Sequence, residues 1–350
     1  MVTKSRWLIF AVLTAGLLVL LIYPQLPHVA GGAGGDGTPG IAAADLAWNV
    51  EQIEAPQAWR KTAGSHDIVV AVIDSGVDWT VPQLAGKMWT NPGEIPGNGI
   101  DDDHNGYVDD VHGWDFRDND SSSLSGSKIN WHGTFVAGII AAQPGDDKVA
   151  GVAPGIRIMD VRILDSRNLF YSSDWGKFAK AIDYAVDNGA RIINLSIYAN
   201  GKPPVVFENA LKRAAARGVI VVGIAGNDGK GSVSYPGRYP WVLAVSATDR
   251  ADHLARFSNY GPEVAVSAPG NEVLSLFPGG VSGTGSGTSF AAPHVAGTLA
   301  LILSANPRLT PAAAVDVLKK TSVPLGDPDR YGAGRVDANR AVALAASERD

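Results

Sequence analysis

The chain has 350 residues, 45% of them hydrophobic, which is enough to build a full core in one large domain. Its formal net charge of −6, with no basic run beyond the N-terminus, argues against nucleic acid as a partner. It contains no cysteine, which excludes disulfides, thiol catalysis and thiolate metal sites.

In chain order, Lys4 and Arg6 precede Trp7–Tyr23, seventeen residues without a charge. At about 1.5 Å per residue this segment reaches about 25 Å, close to the ~30 Å hydrocarbon core of a bilayer. Basic residues on its short side keep residues 1–6 in the cytoplasm and send the rest of the chain outside. Residues 7–23 therefore read as a signal anchor or a cleaved signal peptide. The clearest small-residue cleavage site, Ala42-Ala43-Ala44, lies far downstream. An uncleaved segment would make the membrane a partner. Residues 24–44 form a Gly/Pro-rich linker, and the remaining domain is expected over 45–350.

Within that domain, β-branched or apolar runs at Ile68–Ile73, Arg157–Leu164, Ala190–Ile197, Val219–Ile224, Val242–Ala247 and Val264–Ala268 read as strands. Helical patterns lie at Trp175–Asn188, Pro204–Arg217, Ser289–Ala305 and Pro311–Thr321. The alternation predicts an α/β fold, a three-layer sandwich with a mostly parallel central sheet and helices on both faces. No internal repeat is present.

The loop between the first two of those strands is dense in oxygen ligands. Asp101, Asp103 and Asn105 occupy the first, third and fifth positions of a calcium-loop pattern, and Gly106 stands at its sharp turn. Tyr107 would add a backbone carbonyl, and Asp109 or Asp110 would close the shell. Position twelve is His112 rather than Glu, so the pattern is not a complete EF-hand. Crowded carboxylates repel unless a cation neutralises them, which points to a structural Ca2+. A solvated acidic loop is the alternative.

Three segments carry groups suited to nucleophilic catalysis. The Ile68–Asp78 run reads as a buried parallel strand ending in the carboxylate Asp74, and functional groups of open α/β sheets collect at such ends. His132 opens a helix, and its imidazole can accept and return a proton near neutral pH. Ser289 follows Gly285-Ser286-Gly287-Thr288 at the start of another helix. Small residues there leave room for a substrate backbone, and the helix N-terminus favours a developing oxyanion. His294, about 500° further round that helix, reads as a packed structural histidine.

The order Asp74, His132, Ser289, together with Val221–Gly229, resembles the subtilisin-like serine peptidases, the subtilase family. The resemblance runs from about Trp48 to Ala345 and takes in Asp45–Trp59 as the start of the mature domain and Tyr331–Asp337 as its closing segment. It implies a subtilisin-like fold and an exported serine endopeptidase that cleaves polypeptide through an acyl-enzyme. In that reading Ser289 is the nucleophile, His132 the general base and Asp74 its orienting acid. Asn227 would supply a side-chain donor to the oxyanion.

The resemblance also implies a cleft in which substrate adds as a strand beside Ser196 and Tyr198, with Ile224, Gly226 and Ser234 around the pocket for the residue before the scissile bond. Tyr198 and Ser234 stand where the family usually has glycine. The ring would narrow the cleft or turn to solvent, and the hydroxyl would make a shallower pocket for medium-sized residues. Phe135 and Phe290 replace a histidine and a methionine frequent in the family. The residues between Tyr23 and Asp45 are too few for the family's folding-assisting pro-segment. Two competing classes remain. One is a catalytically silent, membrane-tethered peptide-binding scaffold on the same fold. The other is an α/β-hydrolase esterase, which needs Gly-x-Ser-x-Gly where this chain reads Gly287-Thr288-Ser289-Phe290-Ala291.

Overall fold

The computed structural model describes residues 46–124, 129–145 and 147–348. The segments expected over 1–6, 7–23 and 24–44 lie outside the described residues. Nine strands are described: β1 (Val69–Asp74), β2 (Gly113–Asp115), β3 (Arg157–Arg162), β4 (Ile192–Leu195), β5 (Ile220–Ile224), β6 (Val242–Thr248), β7 (Val264–Pro269), β8 (Val273–Leu276) and β9 (Ser282–Gly285). The helices in chain order are α1 (Trp48–Gln52), α2 (Ala55–Ala58), α3 (Pro82–Ala85), α4 (Trp131–Ala141), α5 (Trp175–Asp187), α6 (Val205–Ala216), α7 (Thr288–Ala305), α8 (Pro311–Thr321), α9 (Pro328–Tyr331) and α10 (Ala338–Ser347).

The first seven strands form one sheet in the order β2-β3-β1-β4-β5-β6-β7, and every neighbouring pair is parallel. β8 and β9 make a separate antiparallel hairpin. All six residues of β1 are buried, because helices cover both faces of the sheet. Its side chains sort with the period of two of a strand. Val70 and Val72 pack in the layer containing α4, α7, α8 and α10, whereas Val69, Ala71 and Ile73 pack in the layer containing α5 and α6. The architecture is thus the expected three-layer α/β sandwich.

All six expected strands and all four expected helices are present, with ends shifted by at most two residues. Pattern reading missed β2, a three-residue edge strand too short to show periodicity, and the β8–β9 hairpin. From β1 the chain first builds the β3–β2 side of the sheet and then returns to lay β4 against β1. The strand order reverses there, and a crevice opens at the carboxyl ends of β1 and β4. Among the described residues, α7 alone is long and apolar enough to cross a membrane, but it is a core helix, with 89% of it buried.

Candidate active site

Asp74 is the last residue of β1 and is fully buried. Its carboxylate faces His132, whose Nδ1 lies 2.8 Å from Oδ1 and 3.0 Å from Oδ2. An ionised carboxylate only accepts, so Nδ1 carries the proton and Nε2 is left as the acceptor. The adjoining backbone locks this pair. Ser75 N–H donates to Asp74 Oδ1 at 2.7 Å, and Gly133 N–H donates to Ser75 Oγ at 3.0 Å. Asn130 caps α4 by accepting from His132 N–H at 3.2 Å. A Cβ at Gly133 would lie 2.4 Å from the Gly76 carbonyl oxygen, so only glycine lets α4 approach the β1 loop this closely.

Ser289 is the second residue of α7. Its hydroxyl donates to the Ser196 carbonyl at 3.1 Å, and the Ser196 hydroxyl donates to the Ser289 carbonyl at 2.8 Å. The second bond has a covalent origin. The carbonyl of Ser289 would normally accept from the N–H four residues on, but that residue is Pro293, which has none. Ser196, itself held by Asn194 Nδ2 at 2.9 Å, fills the gap and ties α7 to the end of β4.

Asn227 follows β5. Its Oδ1 accepts from both the N–H and the hydroxyl of Thr288, each at 2.8 Å. An N–H can only donate, so the amide orientation is fixed and Nδ2 is the free end. A Cβ at Gly287 would lie 3.7 Å from Ser289 N and 3.8 Å from Asn227 Nδ2. The two donors therefore share the space that glycine leaves open.

His132, Ser196, Tyr198, Asn227, Gly287 and Ser289 line one cavity of about 580 Å³. Ile224, Gly226 and Ser234, expected around the same cleft, do not line it. Ile224 is packed in the core under α7, and the Ser234 hydroxyl accepts from Asn259 Nδ2 at 3.1 Å. The opposite wall, which sequence reading missed, includes Leu164, Leu169, Phe170 and Trp175. Leu164 ends the expected strand Arg157–Leu164 and Trp175 opens the expected helix Trp175–Asn188, but neither pattern pointed to the cleft.

Phe135 and Phe290 are buried beside His132, with their ring centroids 4.5 Å apart. Trp131 extends this aromatic cluster to the surface, 38% exposed. His294 is buried, with Nδ1 bonded to the Phe290 carbonyl at 2.7 Å and Nε2 to Asn49 Nδ2 at 3.0 Å. Burial lowers its pKa to about 4, and the bond to Phe290 pulls it partly back up. It is a neutral structural histidine.

The acidic loop is organised differently from the calcium-loop expectation. Ligand oxygens of Glu94, Asp101 and Asp103 lie within 4.8 Å of one another. Glu94, outside the motif and buried, went unseen in the sequence. Asp101 and Asp103 each accept Asn105 N–H at 3.0 Å, which aims both carboxylates toward one point. Asn105 Nδ2 donates to Asp103 at 3.0 Å and to Asp110 at 3.1 Å. Asp109 instead accepts the N–H groups of Gly97, Asn98 and Gly99 at 2.8–3.1 Å. Asp110 is held by Tyr184 and Asn91, and the Tyr107 ring packs against Trp114 and Tyr184. Glu94 likewise accepts the N–H groups of Asp102 and Asp109, at 2.9 and 3.0 Å, and it joins Asp101 and Asp103 in the cluster of oxygens. The gathered oxygens fit a hard cation such as calcium.

Known proteins give the same picture. A family model described as the subtilase family matches residues 65–334. Subtilisin Savinase of Lederbergia lenta is 34% identical over 300 residues, covering 86% of this chain and 100% of the relative. Thermitase of Thermoactinomyces vulgaris is 37% identical over 295 residues, covering 83% of this chain and 94% of the relative. A thermophilic serine proteinase of Bacillus sp. (strain AK1) is 42% identical over 248 residues, covering 71% and 55%. With the parallel sandwich and the bonded Asp74–His132 pair beside Ser289, these matches establish that the chain belongs to the subtilase family and is a serine endopeptidase.

Proposed function

We propose that Asp74, His132 and Ser289 are the catalytic triad of this endopeptidase. The observation that carries the reading is the Asp74–His132 bond, which leaves Nε2 as an acceptor in the cavity that Ser289 also lines. In the free protein the Ser289 hydroxyl rests on the Ser196 carbonyl. Catalysis requires its hydrogen to turn to His132, a tightening usual when substrate binds.

Ser289 Oγ then attacks the scissile carbonyl carbon while its proton passes to Nε2, and Asp74 stabilises the resulting imidazolium. The negative oxygen accepts from Ser289 N–H and Asn227 Nδ2. As the C–N bond breaks, the imidazolium returns the proton to the leaving amine. A water molecule, deprotonated by the same imidazole, then hydrolyses the acyl-serine ester and restores the free hydroxyl.

The active enzyme works outside the cytoplasm, tethered through residues 7–23 or released after their removal, with 24–44 as the linker and 45–350 as the peptidase domain. A calcium ion held by Glu94, Asp101, Asp103 and Asn105 would stabilise a domain that has no disulfide. It contributes charge neutralisation to the fold and no step to the reaction.

A fluorophosphonate should label the wild-type chain at Ser289 and leave Ser289→Ala unmarked. A wild-type chain that neither takes label nor cleaves casein would overturn the assignment.

A further inference from the structure

The cavity containing Ser289 takes its walls from two layers of the sandwich. Leu164, Phe170 and Trp175 pack with the layer of α5 and α6, whereas Phe290 packs with the layer of α4 and α7. Trp131, the first residue of α4, also lines the cavity, directly before His132 in the chain. A single exposed apolar side chain is ordinary on a protein surface. This one, 38% exposed, is the outer ring of a packed stack. Its centroid lies 5.2 Å from that of Phe277, 5.7 Å from Phe135 and 6.0 Å from Phe290.

The stack closes because β9 is rich in glycine. A Cβ at Gly285 would stand 2.8 Å from the Phe290 ring and 3.1 Å from the Phe135 ring, and one at Gly283 would stand 2.9 Å from the Phe277 ring. Backed by three rings, the indole is held before any ligand arrives, so contact with it costs little further ordering.

The chemistry sets which half of a substrate meets this ring. The acyl carbon bonds to Ser289 Oγ, which rests against the Ser196 carbonyl just past the end of β4. The leaving nitrogen must come within about 3 Å of His132 Nε2 to receive its proton. The Trp131 and Phe290 ring centroids lie 5.7 and 5.5 Å from that of the imidazole. The first side chain after the scissile bond therefore starts beside these rings.

Resting on the proposed catalytic reading, we infer that Trp131 is a specificity-determining residue on the leaving-group side of the cleft, and that the enzyme cuts polypeptide preferentially before large apolar or aromatic residues such as Phe, Tyr and Leu. An aromatic side chain there packs against the indole in an offset or edge-to-face contact and removes apolar surface of both from water. Glycine at the same place leaves the indole wet.

The test uses the full chain and internally quenched peptides that share one acyl half and carry Gly, Ala, Leu or Phe after the bond cut, with mass spectrometry identifying that bond. Wild type should cleave before Phe with a kcat/KM about 10-fold above that for Gly, the factor expected from burying half of an aromatic side chain. Trp131→Ala should lower this Phe/Gly ratio about fivefold, because the indole supplies most of the exposed apolar area. Trp131→Leu should lower it less, and it serves as the readout if Trp131→Ala does not fold. Each ratio compares two substrates on one enzyme, so a general loss of activity cancels. A wild-type ratio near one, or a ratio unmoved by the substitutions, overturns the role of Trp131 and leaves the peptidase reading intact. A chain that neither cleaves any member of the series nor reacts with a fluorophosphonate overturns both.

Discussion

The cleft and the acidic loop are both crowded with oxygen and nitrogen ligands, yet they are assembled by different means. In the cleft, Asp74, His132 and Ser289 leave the end of a strand and the first turns of two helices, so backbone geometry directs each side chain. In the loop, the carboxylates are aimed by N–H groups of the turns around them, as Asp109 is aimed by Gly97 to Gly99. Motif spacing therefore pointed to His132, Ser196, Tyr198, Asn227 and Ser289, which line one cavity, and also to Ile224, Gly226 and Ser234, which do not line it. In the loop it missed Glu94, which the turns bring beside Asp101 and Asp103. Groups on regular elements can be read from order and spacing, but groups in a loop answer to whichever donors the turns supply.

The sharpest way to break the comparison is through the cleft. Ser289→Ala should lower kcat by about six orders of magnitude, the scale seen when the nucleophile is removed from a subtilisin. Asn227→Ala should cost about 10²–10³ in kcat with little change in KM, matching the effect at an oxyanion asparagine in a subtilisin. Steady-state kinetics on one peptide substrate measures both. An Asn227→Ala variant changed only in KM would mean that the amide binds ground state rather than transition state.

The loop should fail through stability instead. Excess chelator should remove about 3 kcal/mol at a free calcium level a hundred times Kd, lowering the melting temperature by several degrees. Glu94→Gln should weaken this calcium response and leave the acylation rate at Ser289 nearly unchanged. A melting curve indifferent to chelator would remove the ion from the loop and leave a hydrogen-bonded acidic turn.

A third effect belongs to the core beneath the cleft. His294 has a folded pKa of about 4, below the unfolded value of about 6.5. The unfolded chain therefore takes up the proton first as pH falls. The contribution is fully present above pH 6.5 and is lost progressively toward pH 4. Between pH 7 and pH 5 the loss should be about 2 kcal/mol, and His294→Gln should remove that share of the slope. Asp160, buried and pushed up to about 7 chiefly by desolvation, has the opposite sign. Its contribution is greatest below pH 4 and is lost as pH rises to 7, so Asp160→Asn should help stability most at pH 8. Equal pH slopes in urea titrations of wild type and His294→Gln would contradict the account of His294.

The smallest expected effect is a resistance. With Phe290 next to the nucleophile, the cleft carries no thioether, and Met88 and Met159 are buried. Peroxide at a dose that oxidises exposed methionine should leave activity nearly unchanged. Rapid inactivation would point to a different oxidisable group in the cleft.

By itself the sequence determined the layer order and the chemistry. Apolar runs with strand length, alternating with amphipathic helices, allow few arrangements that bury both faces of a parallel sheet, and Asp74, His132 and Ser289 sit where those elements end. Tertiary structure alone decided which groups meet across the chain. Ser196 reaches the carbonyl that Pro293 leaves unbonded, 93 residues away. Thr288 orients Asn227, and Glu94 joins Asp101 and Asp103. These contacts are long-range or set by loop turns. Their energy depends on distances between elements that no local pattern encodes, so they become visible only once the sheet has brought its ends together.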